Sequence, residues 1–164
     1  MEKLAKFTAN GIFIAALFFH ILAYSRAVPF KWYIWWIIFF VPLWAKIIYE
    51  LNENGSNLLR DLSWLKDPLV IMFIGIFFYA GVSAMANGAM LQSGSGVRQA
   101  GHYYLEYKTK IVEEISYERY WQLVSAENRM ASSVPLAFAS AAAGYYRMRG
   151  FDRLKGEGKN GVSV

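Results

Sequence analysis

Long runs without charged side chains constrain this chain more than any other feature. Residues 7–25 contain no Asp, Glu, Lys or Arg, and neither do residues 68–97. A helix needs about 20 apolar residues to cross a bilayer core of about 30 Å. Hydrophobic residues make up 56% of the 164-residue chain and aromatic residues 18%, a composition typical of membrane proteins. These runs predict membrane-spanning helices at 7–25 and 68–90.

The stretch FKWYIWWIIFFVPLW, residues 30–44, predicts a further span at about 32–49. A water-soluble core accommodates few tryptophans, because each indole N–H needs a hydrogen-bond partner once it is buried. At the depth of the lipid headgroups the ring is buried while its N–H stays wet, which explains aromatic residues clustered at the ends of a span. We therefore interpret residues 1–90 as a transmembrane domain.

The span at 68–90 carries small residues at helical spacing. Ala80, Ala84 and Gly88 lie four residues apart and fall on one face of a helix. Small side chains let two helix backbones approach closely, which is how spans associate within lipid. This face predicts a helix-packing site, either within the chain or against a partner subunit.

Beyond residue 90 the chain becomes compatible with water. The Gly- and Ser-rich residues 91–101 are typical of a flexible linker. Within residues 102–129, an alternating pattern up to Thr109 followed by KIVEEIS predicts a small hairpin, and Ser116 is suited to cap a helix after it. We expect this hairpin and helix to lie outside the membrane.

Residues 130–146 allow two interpretations. The run is uncharged between Arg129 and Arg147 but short and rich in alanine, so it is either a thin fourth span or a buried helix of the tail. A fourth span places the basic C-terminal tail, residues 147–164, on the same side as Lys6. Because positive charge accumulates in cytoplasmic segments, this pattern favours the fourth span and a cytoplasmic N terminus in a bacterial inner membrane.

Few residues of the chain are candidates for catalysis or for binding a metal ion or cofactor. The absence of cysteine excludes disulfides, iron–sulfur clusters and thiol nucleophiles. Glu113 and Glu114 are adjacent, so on a strand they point to opposite faces and share neither a proton nor a metal ion. His20, within the first span, is suited either to ligate a haem iron or a chlorophyll-type pigment or to form a hydrogen bond between helices. We expect no enzyme activity and no other cofactor or metal site.

Aromatic residues concentrate in the segment outside the membrane. Tyrosine and tryptophan are favoured anchors of protein interfaces, and the candidates for partner binding are Tyr103, Tyr104, Tyr107, Tyr120 and Trp121. The alternative is that these rings fill the small core of the segment itself.

The predicted fold class is an all-α membrane protein with three to four transmembrane helices and a small α+β extramembrane hairpin–helix segment. The predicted function is non-catalytic, as an accessory subunit of a membrane complex or an exclusion- or immunity-type inhibitor. A haem- or pigment-binding subunit using His20 and an oligomeric pore are the alternatives. The expected partners are membrane lipids and other membrane protein subunits or a second copy. Nucleic acid is not expected, because the terminal basic run adjoins a membrane segment and suits anionic lipid.

Overall fold

The computed structural model describes residues 2–24, 33–54 and 62–160 of the chain. This part is mostly helical and contains a small antiparallel sheet. Its helices are α1 (Glu2–Leu22), α2 (Tyr33–Asn54), α3 (Pro68–Met90) and α4 (Tyr117–Asn160), and its strands are β1 (Ser95–Gln99), β2 (His102–Tyr107) and β3 (Lys110–Glu114). Short 3₁₀ turns at Leu62–Lys66 and Leu91–Ser93 flank α3.

The start of α3 follows from two adjacent residues. Pro68 occupies the beginning of the helix, where its missing N–H is not needed for intrahelical bonding. Asp67 caps the helix, because its Oδ1 accepts a hydrogen bond of 2.8 Å from the backbone N–H of Leu69. The bounds of α3 therefore match the predicted span at 68–90.

The last helix, α4, is longer than the sequence predicts. It has 44 residues, a length of about 66 Å. We expected a separate helix before residue 130, a segment at 130–146 and a tail from 147, but the helix runs through all three. Pro135 lies inside it and removes one backbone donor. Contacts with α3 on both sides of this proline hold the helix continuous, and such tertiary packing overrides local preference.

The helices run alternately up and down along α4. Asp67, before the start of α3, bonds to Arg147, whereas Gly88, near the end of α3, faces Met130, so the two helices are antiparallel. Helix α1 is also antiparallel to α4, and α2 is parallel to it. The pairs that establish this are Lys6 with Gly150 and His20 with Ser132 for α1, and Trp44 with Phe138 and Glu50 with Arg149 for α2.

The core lies along α4 in two adjoining clusters. One contains Ala5, Ala9, Leu43, Ile47, Ala142, Tyr145 and Tyr146, and the other contains Phe13, Ala16, Phe73, Ala80, Leu136, Ala139 and Ala143. In both clusters α4 contributes alanines where a neighbouring helix approaches. These small side chains let α4 approach its neighbouring helices closely.

Two of the described helices are long and apolar enough to cross a membrane. These are Leu4–Leu22 of α1 and Pro68–Ser93, which comprises α3 and the turn after it. Only 22% of the apolar window in the second is buried inside the protein, whereas the core helix of a soluble protein is mostly buried. Of the predicted second span, Trp32 and the side chains up to residue 39 lie outside the described residues.

The predicted flexible linker at 91–101 is instead a turn followed by β1. This strand pairs antiparallel with β2, which pairs with β3. Glycine is required here for close approach: a Cβ on Gly94 would lie 2.5 Å from the carbonyl oxygen of Glu106, and one on Gly96 would lie 3.0 Å from the ring of Tyr120. The glycines that suggest flexibility therefore let β1 pack against β2 and α4.

The predicted hairpin is present as β2 and β3, joined at Lys108 and Thr109. Both turn residues have positive φ angles, 48° and 64°, as the mirror-image turns of tight hairpins require. After β3, Ser116 Oγ accepts a hydrogen bond of 3.2 Å from the backbone N–H of Arg119, so the predicted cap of α4 is also present. We call the sheet and the first three turns of α4, residues 95–127, the head.

Candidate functional site

A chain of polar side chains joins α1, α3 and α4 at the end of the bundle nearest the head. The ring of His20 is 3% exposed, with Nδ1 3.0 Å from Ser132 Oγ and Nε2 3.1 Å from the hydroxyl of Tyr79. The hydroxyl of Tyr79 is in turn 2.9 Å from that of Tyr24. These bonds tie three helices together at one level.

The donor and acceptor roles in this series of hydrogen bonds follow from Ser132, its last residue. The hydroxyl of Ser132 donates to the backbone carbonyl of Arg129 at 3.1 Å, so its oxygen accepts from Nδ1–H of His20. Nε2 of a neutral His20 then accepts a hydrogen bond from the hydroxyl of Tyr79, and the oxygen of Tyr79 accepts one from the hydroxyl of Tyr24. All four side chains are satisfied in this arrangement.

The hydrogen bonds of the His20 ring affect whether it is free to ligate a cofactor. Both ring nitrogens are engaged, so a haem iron or a pigment magnesium would have to replace the bond to Tyr79 or to Ser132. The other histidine, His102, lies in β2 and pairs with Glu114 at 2.7 Å. Among the described residues, no group of three His, Asp or Glu side chains is placed to hold a metal ion. The arrangement supports the alternative role of His20, a hydrogen bond between helices.

The aromatic candidates for partner binding fall into two groups, one on the side of the sheet that faces α4 and one on the opposite side. On the inner face, which packs against α4, the ring of Tyr103 lies 4.8 Å from Tyr120 and 5.3 Å from Tyr117, and Tyr120 lies 5.5 Å from Trp121. The guanidinium of Arg98 covers the Tyr103 ring at 5.8 Å. Tyr103 and Tyr120 are thus half-buried between the sheet and α4, whereas Tyr107, at the end of β2, is 45% exposed.

The outer face of the sheet carries a second set of side chains. Val97 pairs directly with Tyr104 across β1 and β2, and Ile111 follows diagonally on β3. Ile111 is 51% exposed, and the flanking pair His102 and Glu114 has side chains about 60% exposed. We call Val97, Tyr104 and Ile111, with their polar border of Gln99, His102, Glu106 and Glu114, the outer face.

A cleft of about 660 Å³ opens between the end of α1, the end of α3 and the start of α4. Tyr24, Met90 and Trp121 form part of its wall, and Arg129 lines it next to the polar chain described above. The guanidinium of Arg129 lies 4.6 Å from the centre of the Tyr24 ring. The volume falls within the range of small-molecule sites.

At the opposite end of the bundle, ion pairs join the helices. Asp67 is 4% exposed and accepts a hydrogen bond of 2.6 Å from Nε of Arg147. Burial alone would raise the pKa of the Asp67 carboxyl, but the bonds from Arg147 and from the N–H of Leu69 outweigh it and hold the pKa below its ordinary value. Glu50 of α2 pairs with Arg149 in the same layer.

The predicted helix-packing residues lie on or beside the contact between α3 and α4. Ala80 is fully buried in the cluster with Leu136 and Ala139. A Cβ on Gly88 would lie 3.3 Å from Sδ of Met130, and Ala84, between these two positions, is half-buried. This face therefore packs at least partly against α4 within the chain.

Sequence reasoning missed the outer face and the cleft for different reasons. The outer face depends on pairing between β1 and β2, and β1 lies where a linker was expected. The alternation Val97, Arg98, Gln99 is too short to signal a strand by itself. The cleft unites Tyr24 with Arg129, residues more than 100 positions apart, and no local pattern connects them.

The outer face and the cleft are therefore the two candidate sites of this molecule, and both lie at the head end of the bundle. Searches against protein-family models, curated proteins and solved structures find no match to the chain.

Proposed function

We propose that the protein is an integral membrane protein that crosses the bilayer four times and acts through protein contacts rather than catalysis. In this proposal it is an accessory subunit of a membrane complex or an exclusion- or immunity-type inhibitor. The membrane is a bacterial inner membrane, the N terminus and the end of α4 lie in the cytoplasm, and the head lies on the opposite side.

The distribution of polar and apolar side chains supports the membrane domain. The bundle buries Ser83, Asn87 and Ser133, and the hydroxyl oxygens of Ser133 and Ser83 form a hydrogen bond of 3.0 Å. Its outer surface is instead formed by large apolar side chains that are more than half exposed, among them Phe7, Ile14, Phe18, Ile21, Ile71, Phe78, Val82 and Met85. Soluble monomers rarely expose continuous apolar surface on this scale, whereas lipid stabilises it.

The positions of the charged residues along the helix axes support four crossings of the membrane. Arg129 and Arg147 lie at opposite ends of an uncharged part of α4 about 27 Å long, close to the thickness of a bilayer core. Lys6 and Asp67 lie at the Arg147 end. Because α2 and α4 pack beside the two apolar helices and at the same levels, all four helices would cross together.

The single observation that carries the binding function is the outer face of the sheet. An apolar centre with a polar and charged border is the anatomy of a protein interface. Val97, Tyr104 and Ile111 provide the centre, and His102 with Glu114 forms part of the border. The edge of β3 is a poorer candidate, because a bulge opposite Leu105 and Glu106 interrupts its register and charged residues flank it.

The topology is tested by labelling single cysteines, since the chain contains none of its own. Thr109→Cys lies in the hairpin turn of the head, and Asn160→Cys lies at the end of α4. In intact bacteria that express each variant, a membrane-impermeant maleimide should label Thr109→Cys and spare Asn160→Cys until the membrane is opened. Equal labelling of both positions in intact cells would contradict the single crossing that the proposal places between them, that of α4.

The binding function is tested by placing a photo-crosslinking amino acid at position 104. We expect illumination of native membranes to join the protein to one defined partner, because this position is at the centre of the outer face. The same amino acid at position 117, which is 51% exposed on the opposite side of the sheet, serves as the matched control. Tyr104→Glu should abolish co-purification of that partner at unchanged yield. A protein that crosslinks equally from both positions, or from neither, does not act through this face.

A further inference from the structure

We infer that the cleft at the head end of the bundle binds the phosphate group of a membrane phospholipid and that Arg129 is its anion-binding residue. The inference rests on the proposed placement in a membrane and goes beyond it, because it assigns a ligand to a site separate from the outer face. Its evidence comes from the charge, the level and the walls of the cleft.

The charge of Arg129 is not matched by a carboxylate among the described residues. Their ion pairs are those of Lys46, His102, Arg147 and Arg149. Arg129 is half-buried, and its Nε has no hydrogen-bond partner in the described part of the chain. A partly desolvated cation is costly unless an anion or an aromatic ring compensates it. The Tyr24 ring at 4.6 Å supplies only part of this compensation, so an anion in the cleft would supply the rest.

The level of Arg129 favours a lipid as the source of that anion. The residue lies at the end of the uncharged part of α4 and beside the last turn of α1, where the hydrocarbon core would meet the headgroups. Lipid phosphates are concentrated at this depth. Arginine presents several N–H donors in a planar fork, which matches the oxygen atoms of a phosphate group.

The walls of the cleft suit the rest of a phospholipid. Ile21 and Met85 precede the lining residues Tyr24 and Met90 by about one turn on the same helices, and both are more than 60% exposed, so acyl chains could lie against them. Towards the head, Ser125 and Gln122 line the cleft and offer hydrogen bonds to a polar headgroup. Glu118 also lines it, which disfavours a headgroup with further negative charge.

The experiment is native mass spectrometry of the full chain purified in a mild detergent that is removed in the gas phase. Three probes are added separately: phosphatidylethanolamine, diacylglycerol with the same acyl chains, and inorganic phosphate. We expect one phosphatidylethanolamine per chain, little diacylglycerol and no retained inorganic phosphate. Arg129→Gln should weaken phosphatidylethanolamine binding about tenfold, the effect of losing one charge-assisted hydrogen bond.

Two further variants keep this test decisive. Arg98→Gln removes the same charge from an exposed position on β1 and should retain the lipid at the wild-type level. Arg129→Lys keeps the charge without the planar fork and should bind with intermediate affinity, even if Arg129→Gln does not fold. Equal retention of phosphatidylethanolamine and diacylglycerol, or equal losses in Arg129→Gln and Arg98→Gln, would overturn the inference. Binding of inorganic phosphate alone would assign the site to a free anion instead of a lipid.

Failure of this inference is distinguishable from failure of the proposed function. A chain that shows the expected maleimide labelling but no selective lipid retention crosses the membrane without this lipid site. Loss of the labelling pattern would instead remove the membrane placement on which the inference rests.

Discussion

Gly144→Leu is expected to separate α3 from α4 and to cause one of the largest losses of stability of any single substitution in the bundle. Even a Cβ at position 144 would lie 3.3 Å from Cβ of Phe73, closer than side chains normally pack. Three further carbon atoms have no space there, so the helices must move apart. Overpacking of this kind typically costs about 1–3 kcal/mol, and we expect the upper end because Arg147 lies one turn further along the same contact.

The measurement is unfolding of the purified protein in mixed detergent micelles as the denaturing detergent is increased, followed by tryptophan fluorescence. Gly75→Leu is the matched control, because a Cβ at Gly75 meets nothing within 4 Å on the exposed side of α3. This control should unfold at or near the wild-type midpoint. If Gly144→Leu and Gly75→Leu unfold at the same midpoint, the close contact between α3 and α4 is not a determinant of stability.

The sequence predicts those elements whose signals are local. The bounds of α3 follow from Asp67 and Pro68, which cap and start the helix, and from the uncharged run behind them. The hairpin follows from the alternation before Thr109, although neither turn residue is one that favours a positive φ angle. The cap at Ser116 follows from its hydroxyl. In each case the residues that determine the element lie within a few positions of it.

The elements that differ from prediction depend on distant contacts. The glycines at 94 and 96 suggest a linker, yet they allow β1 to approach Glu106 and Tyr120. Proline at 135 suggests the start of a helix, yet α4 continues through it because α3 packs against both sides. Glycine and proline report local backbone preferences, and neither reports what the rest of the chain packs against them.

The candidate sites also combine residues that the sequence identifies with roles that depend on distant contacts. His20 is identifiable as a polar residue within an apolar run, but its partners Tyr79 and Ser132 come from other helices and decide that both nitrogens are engaged. Tyr103 and Tyr104 are neighbours in sequence and equally aromatic. Because successive side chains of a strand point to opposite faces, Tyr103 packs against α4 while Tyr104 lies on the outer face. Only the packing of the sheet against α4 distinguishes the two roles.

Arg147→Met is expected to destabilise the bundle more than Asp67→Asn, although both remove the same ion pair. The methionine leaves the carboxylate of Asp67 buried without its partner, whereas asparagine at position 67 leaves no buried charge and can still cap α3 through its carbonyl oxygen. We expect Arg147→Met to lower the thermal midpoint by several degrees. The double variant should recover part of this loss, because neither charge then remains unpaired.

The wild type and Arg147→Met are expected to differ in how their stability depends on pH. In the wild type the pKa of Asp67 lies below its ordinary value, so the stability that its carboxylate contributes is complete above about pH 4 and is lost as the pH falls through the lowered pKa. Arg147→Met removes the hydrogen bond and the positive charge of the guanidinium, so the pKa of Asp67 should rise from its wild-type value and acidification should cost this variant less stability than the wild type. Thermal midpoints measured between pH 7 and about pH 3 for the wild type, Arg147→Met and the double variant separate these effects, since the other carboxylates are the same in all three. Parallel pH profiles for wild type and Arg147→Met would show that Arg147 does not control the Asp67 carboxyl.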